Sequence, residues 1–402
     1  MKSAREGHAM TIRTARWWVA VLLLAGSAQA ASPYAKRGEE IVTLVRTRFV
    51  DAAKGAAWAD AHQGYAAGAK DLEDFTRRTN AALAELKASH TAYYPKESPA
   101  HAAVTSIFQT YLKQEDITAT GIGVDVRETP DGFFVRHVFA DGPGAKAGLL
   151  RGDRLVTVEG RPFHPWHAFR NRAGRATRLT VERVKGAAPL TLTVTPRRMN
   201  PRKEWLAVQK ASSQVVERQG RRVAYQHVYA CAGEAYQQAL EEALQDTFAD
   251  ADALVIDFRD GWGGCSPAFI NLFNPQVSLL VNTGRDGKPH PSALSWRKPV
   301  VLLVNGNSRS GKELVAFAMK RHRLATLVGE RTAGAVLAGG PQKLSNGDLL
   351  YLAVMDVTVD GERLEGVGVP VDVEVPDALP YAGGADPRKE RALDVAASQV
   401  KG

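Results

Sequence analysis

Residues 298–321, KPVVLLVNGNSRSGKELVAFAMKR, decide how this chain is read. Val300 to Val304 is a short, continuously apolar and largely β-branched run, the pattern of a buried strand. Asn305 to Arg309 is a polar turn, after which Leu314, Val315, Ala318 and Met319 recur at helical spacing. Strand, turn and helix put Ser310 at a helix N-terminus, where unpaired N–H groups and the macrodipole favour a developing negative charge. A nucleophilic serine needs that setting. The same residues, Ser310-Gly311-Lys312-Glu313, also spell a capping box, in which the hydroxyl does no more than satisfy a helical N–H. The local pattern favours the cap, so the rest of the chain has to decide.

The chain has 402 residues, room for two or three domains, with the 45% apolar and 24% charged content of an ordinary globular protein. Its formal charge of +9 includes +3 from residues 1–30, and the remaining basic clusters, Arg197-Arg198 and Arg218 to Arg222, are short. They read as solvated loops rather than a nucleic-acid track. Residues 1–30 read as a signal peptide: Arg13 and Arg16 precede the apolar core Trp17 to Ala25 and the small-residue site Ser27-Ala28-Gln29-Ala30. An uncleaved anchor is the alternative. The expected location is periplasmic or secreted. Cys231 and Cys265 fit either one disulfide in an oxidising compartment or two buried thiols. No spacing resembles a metal site, and neither metal nor cofactor is expected.

Residues 31–116 read as a helical N-terminal segment, interrupted by Gly55, Gly64 and Gly68 and closed near Ser89-His90-Thr91-Ala92-Tyr93-Tyr94-Pro95. From 117 to 197 the texture changes to short β-like runs punctuated by glycine. Gly121-Ile122-Gly123-Val124 followed by GPGAKAGLLRGDRLVTVEG (142–160) looks like a PDZ domain, whose glycine loop gathers N–H groups around a terminal carboxylate while the peptide adds as a strand. After a basic linker, 197–203, strands alternate with helices over 204–384. That indicates a layered α/β unit with a partly parallel sheet, followed by a tail helix at 385–402.

The order of these pieces resembles the serine peptidases that include the C-terminal processing proteases and the tricorn core protease. Four motifs carry the resemblance: Asp257-Phe258-Arg259-Asp260-Gly261-Trp262-Gly263-Gly264, Ser308-Arg309-Ser310-Gly311-Lys312-Glu313, Gly329-Glu330-Arg331-Thr332 and Val367-Gly368-Val369-Pro370-Val371-Asp372. It implies an α+β multi-domain fold with an α/β sandwich-like catalytic core of the ClpP/crotonase type. It also implies an endopeptidase acting on polypeptides, a possible homo-oligomer, Ser310 as nucleophile, and Gly311 with Gly263 or Gly264 as oxyanion donors.

The C-terminal processing branch pairs its serine with a lysine at a position that here is Ala335, and no lysine lies between Lys320 and Lys343. Lys312 is too close to Ser310 on the same helix start and should point away. The tricorn-like branch takes a histidine from its N-terminal segment instead. Ser89-His90 is similar to that element, and Glu365 to its late glutamate, so His90 is the expected base, with Ser89 and Glu365 fixing its tautomer. Its titration is expected near 6.5. Gly261 stands where the family usually has asparagine. A peptidase-shaped protein that only binds peptides or small ligands is the competing class.

Overall fold

The computed structural model describes residues 32–115, 117–278, 281–291 and 295–401; the leader expected at 1–30 lies outside them. Helices and several sheets are combined, as the α+β reading predicts. The central sheet runs Gln214–Arg218, Arg221–His227, Ala253–Asp257, Val300–Val304, Thr326–Gly329, Val373–Glu374. Its first pair is antiparallel and every other neighbour parallel. Ala253–Asp257 and Val300–Val304 are buried throughout, as parallel strands covered on both faces must be. Alternate side chains serve the two faces. Leu254, Ile256, Leu302 and Val304 pack with the helices Glu234–Gln245 and Gly311–Arg321. Val255, Val301 and Leu303 pack with Leu393 and Ala396 of Pro387–Ser398, the expected tail helix.

Residues 338–355 leave this sheet, although 204–384 reads as one unit in the sequence. Ala338–Lys343 and Leu349–Met355 pair antiparallel, and Ala92–Tyr94 adds to the second of them. The resulting three-stranded sheet lies on the N-terminal helices Pro33–Arg48, Ala52–Ala61 and Leu72–Ala84, where Ile41, Val45, Phe75 and Leu83 meet Leu350 and Leu352. The apolar stripe of the front segment is therefore covered from the far end of the chain. Gly55 does not interrupt the helices. It sits inside Ala52–Ala61 because a Cβ there would come 2.8 Å from the Val45 carbonyl oxygen.

Residues 124–194 form a separate antiparallel sheet with Val124–Thr129 at one edge, paired on one side only, to Gly132–Val138. The basic linker expected at 197–203 is not a loop. Arg197–Met199 pairs with Ala119–Gly121, and the helix Pro201–Ser212 starts at once, capped by Asn200. Arg218 to Arg222 is the turn of the hairpin formed by Gln214–Arg218 and Arg221–His227.

Candidate active site

The strand Val300–Val304 and the helix Gly311–Arg321 meet at Ser310, whose φ of 58° and ψ of −132° are costly for a residue with a side chain, about 1–3 kcal/mol. Surrounding bonds hold it there: its N–H donates to the Ala335 carbonyl at 2.8 Å, and its carbonyl accepts from Glu313 N at 2.8 Å. The capping box is not formed. A capping serine needs extended backbone, and the Ser310 hydroxyl makes no hydrogen bond among the described residues. Glu313, the other half of the box, instead grips the facing loop, accepting from Thr332 Oγ1 (2.6 Å), Gly334 N (2.7 Å) and Ala335 N (2.8 Å). Ser308 stabilises the turn, accepting from Asn305 N at 3.0 Å and donating to the Phe258 carbonyl at 3.0 Å.

The glycine loop following Ala253–Asp257 is drawn against this turn. Asp257 accepts from the Tyr225 hydroxyl at 2.8 Å and from Arg259, which also pairs with Asp386 at 2.8 and 2.7 Å. Beneath the loop, the fully buried Lys312 ammonium donates to the Asp260 carbonyl (2.7 Å) and the Tyr229 carbonyl (3.1 Å). Burial, against the pull of Asp257 and Asp260, lowers its pKa to about 7. Lys312 thus points away from Ser310, as expected, and serves as a prop for the loop.

Gly261 has φ +65°, and a Cβ on it would overlap the Tyr229 carbonyl oxygen, so an asparagine could not stand here without moving the loop. A Cβ on Gly263 would lie 2.6 Å from Ser310 Cβ, and one on Gly311 would overlap Cys265 N. The N–H groups of Gly263, Gly264 and Gly311 donate to nothing among the described residues. Cys231 and Cys265 form a disulfide, which resolves the two alternatives and anchors the end of the loop.

His90 reaches the site from the N-terminal segment. Asn80 accepts from Tyr93 N at 2.7 Å and donates to Tyr93 O at 3.1 Å, while Ala92–Tyr94 is zipped to Leu349–Met355. Just ahead of that strand, His90 has φ 54° and lies edge-on to Tyr351 at 5.6 Å. Its Nδ1 is 3.0 Å from Ser89 Oγ, which donates to Glu365 Oε2 at 2.9 Å. Ser89 has one proton and gives it to the carboxylate, so Nδ1 carries the imidazole proton and Nε2 keeps a free lone pair. Burial alone would raise the Glu365 carboxyl, but hydrogen bonds from Ser89 N, Val336 N, Ser89 Oγ and Leu337 N hold it below its usual range. Burial and the Arg309 charge, only partly offset by Glu365, lower the His90 pKa to about 4 rather than the expected 6.5.

Ser310, His90, Ser89, Gly263 and Gly264 line one cavity of about 390 Å³. No hydrogen bond joins His90 to Ser310 among the described residues. Tyr94, Ile107, Phe108, Trp262, Arg309 and Tyr351 complete the wall, and sequence reasoning missed Tyr94 and Tyr351 as site residues. Only the pairing of their strands, remote in sequence, brings them together. Gly121, Ile122, Gly123 and Val124 lie elsewhere, in a second cavity of about 350 Å³ with Phe163, Phe169 and Trp205. Trp262 lines both. Outside the Ser310 cavity, Glu73, His164 and His167 bring potential metal-ligand atoms within 4.8 Å of one another, a grouping that the sequence spacing conceals.

Residues 222–375 match the model for peptidase family S41. That span holds the glycine loop, Ser310 and Glu365, but not Ser89 or His90. The chain is 23% identical over 297 residues to a carboxyl-terminal-processing protease of Synechocystis, covering 70% of this chain and 68% of that one. A carboxy-terminal-processing protease of Bartonella bacilliformis is 25% identical, with 65% and 62% covered. A tricorn protease homolog of Streptomyces coelicolor is 24% identical over 94% of this chain, which spans only 33% of that protein. Among solved structures, the tricorn protease superposes with a TM-score of 0.56 at 18% identity, covering 92% of this chain and 37% of its own. Mature CPAF, solved with lactacystin, superposes at 0.53 with 12% identity, covering 92% and 98%. These two likenesses show a shared fold. This chain therefore carries a peptidase family S41 domain at residues 222–375, the domain of a serine peptidase.

Proposed function

We propose that the protein is an exported serine endopeptidase of the Ser–His type. Ser310 Oγ attacks the scissile carbonyl, His90 Nε2 takes the hydroxyl proton and returns it to the leaving amine, and the Gly311 and Gly263 or Gly264 N–H groups hold the oxyanion. The relay Glu365–Ser89–His90, ending in a free imidazole lone pair on the wall that Ser310 shares, is the observation that carries this reading. Catalytic hydrogen bonds often close only around substrate. Covalent labelling by a serine-reactive fluorophosphonate is the test. Wild type should label and Ser310→Ala should not; equal labelling removes Ser310 as nucleophile.

The PDZ-like unit, in this reading, captures substrate C-termini and gates the site. In support, Val124–Thr129 is an edge strand beside the second cavity, and the Ile122 and Gly123 N–H groups donate to nothing among the described residues. Arg136 and His137 of the same unit bond Asp260 at 2.7 Å each, touching the loop that supplies the oxyanion donors. Calorimetry with free-carboxylate and amidated peptides tests capture, and equal affinities reject it. Export is supported by the disulfide, which persists in oxidising compartments. A second reading, a peptide-binding protein of peptidase shape, is favoured by the missing bond between His90 and Ser310. It predicts peptide affinity with no labelling.

A further inference from the structure

The cavity beside Ser310 has one fixed positive charge and no carboxylate among its lining residues. The charge is Arg309, exposed, with no hydrogen bond or ion pair to its guanidinium among the described residues. The other arginines around the site are engaged: Arg136 with Asp125 and Asp260, Arg259 with Asp257 and Asp386, Arg151 with Asp377. Arg309 is held at the cavity by its own backbone, whose carbonyl lies 2.7 Å from where a Gly263 Cβ would stand and accepts from Lys312 N at 3.3 Å.

Its charge is felt by His90, Tyr94 and Tyr351, three rings that line the same cavity. The two phenols, kept protonated mainly by burial, make no hydrogen bond among the described residues and are free to donate. A guanidinium with two hydroxyl donors nearby and no competing anion is a receptor for a carboxylate.

We propose that Arg309, assisted by the Tyr94 and Tyr351 hydroxyls, forms an anion subsite that selects a substrate carboxylate within about two residues of the scissile bond, the distance that one residue beside the nucleophile can span. The proposal rests on the peptidase reading and specifies its substrate class. The carboxylate comes either from an acidic side chain or from a free C-terminus. An arginine that only tunes His90 would change the rate for every peptide by the same factor.

The test uses the full chain and compares kcat/KM for paired peptides, so that any general loss of rate cancels in the ratio. One arm pairs Glu with Gln beside the scissile bond in amidated peptides; the other pairs a free with an amidated terminus at that distance. Wild type should favour the carboxylate by about tenfold to a hundredfold in one arm, which identifies the source. The ratio should fall to about one in Arg309→Gln and below one, in favour of the neutral peptide, in Arg309→Glu. A wild-type ratio of one in both arms, or a ratio unchanged in Arg309→Gln, overturns the proposal. If wild type turns over no peptide, the peptidase reading has failed on its own. The same ratios, read as Kd by fluorescence anisotropy, then decide the subsite by the same two criteria.

Discussion

At the scale of single residues, the proposed mechanism depends on an imidazole kept neutral. His90 is pulled down to about 4 by burial and the Arg309 charge, so its base form dominates from pH 8 to about 5. Peptidase activity should hold across that range and fall as pH drops through about 4; a midpoint near 6.5 contradicts the burial argument. Stability has its own sign. The unfolded chain takes a proton near 6.5 while folded His90 and His227, lowered to about 3, resist it. The fold should therefore lose stability as pH falls below about 6.5, an effect that acid titration of the melting temperature would detect. Ser89→Ala removes the oxygen that orients Nδ1, and should cost about a hundredfold in kcat with little change in KM. A parallel rise in KM with kcat intact would mean that Ser89 contacts substrate instead.

At the scale of elements, two loops touch through glycine. Gly263→Ala puts a methyl 2.6 Å from Ser310 Cβ and 2.7 Å from the Arg309 carbonyl oxygen, so the turn must shift: labelling should be abolished and stability should fall by about 1–3 kcal/mol, and normal labelling would contradict the packing. The disulfide closing Cys231 to Cys265, 34 residues apart, fixes one of these loops. Replacing both cysteines by serine should cost about 3–4 kcal/mol, seen as a lower denaturant midpoint. A midpoint within error of wild type contradicts it. These elements were partly legible in sequence. The apolar run Val300–Val304 and the helical spacing after Ser310 identified strand and helix, because a buried parallel strand and an amphipathic helix each leave a strong pattern. The capping box did not form, because the box describes only local bonds, whereas Glu313 is committed to Thr332, Gly334 and Ala335 across the fold.

At the scale of the whole molecule, the candidate site is shared between the two ends of the chain. His90 is held by a strand that pairs with Leu349–Met355, and the glycine loop is braced by Arg136 and His137 of the β-rich unit. Arg136→Ala takes one of several partners from the buried Asp260 carboxylate and should cost about 1–3 kcal/mol; unchanged stability would mean that this contact does not brace the loop. Little of this was readable in advance. The order of units and the trio Ser89, His90 and Glu365 came through resemblance of motifs, whereas the departure of residues 338–355 to cover the N-terminal helices left no local mark. Strand partners separated by hundreds of residues are set by which apolar faces remain uncovered, and that is a property of the assembled fold.

In the proposed mechanism everything turns on the activation of Ser310 by His90. The rate of fluorophosphonate labelling of Ser310, followed by mass spectrometry in wild type and His90→Gln, tests it directly. The labelling rate should fall by at least about a hundredfold in the variant across pH 5 to 8. Labelling of Ser310 at the wild-type rate in His90→Gln would contradict it.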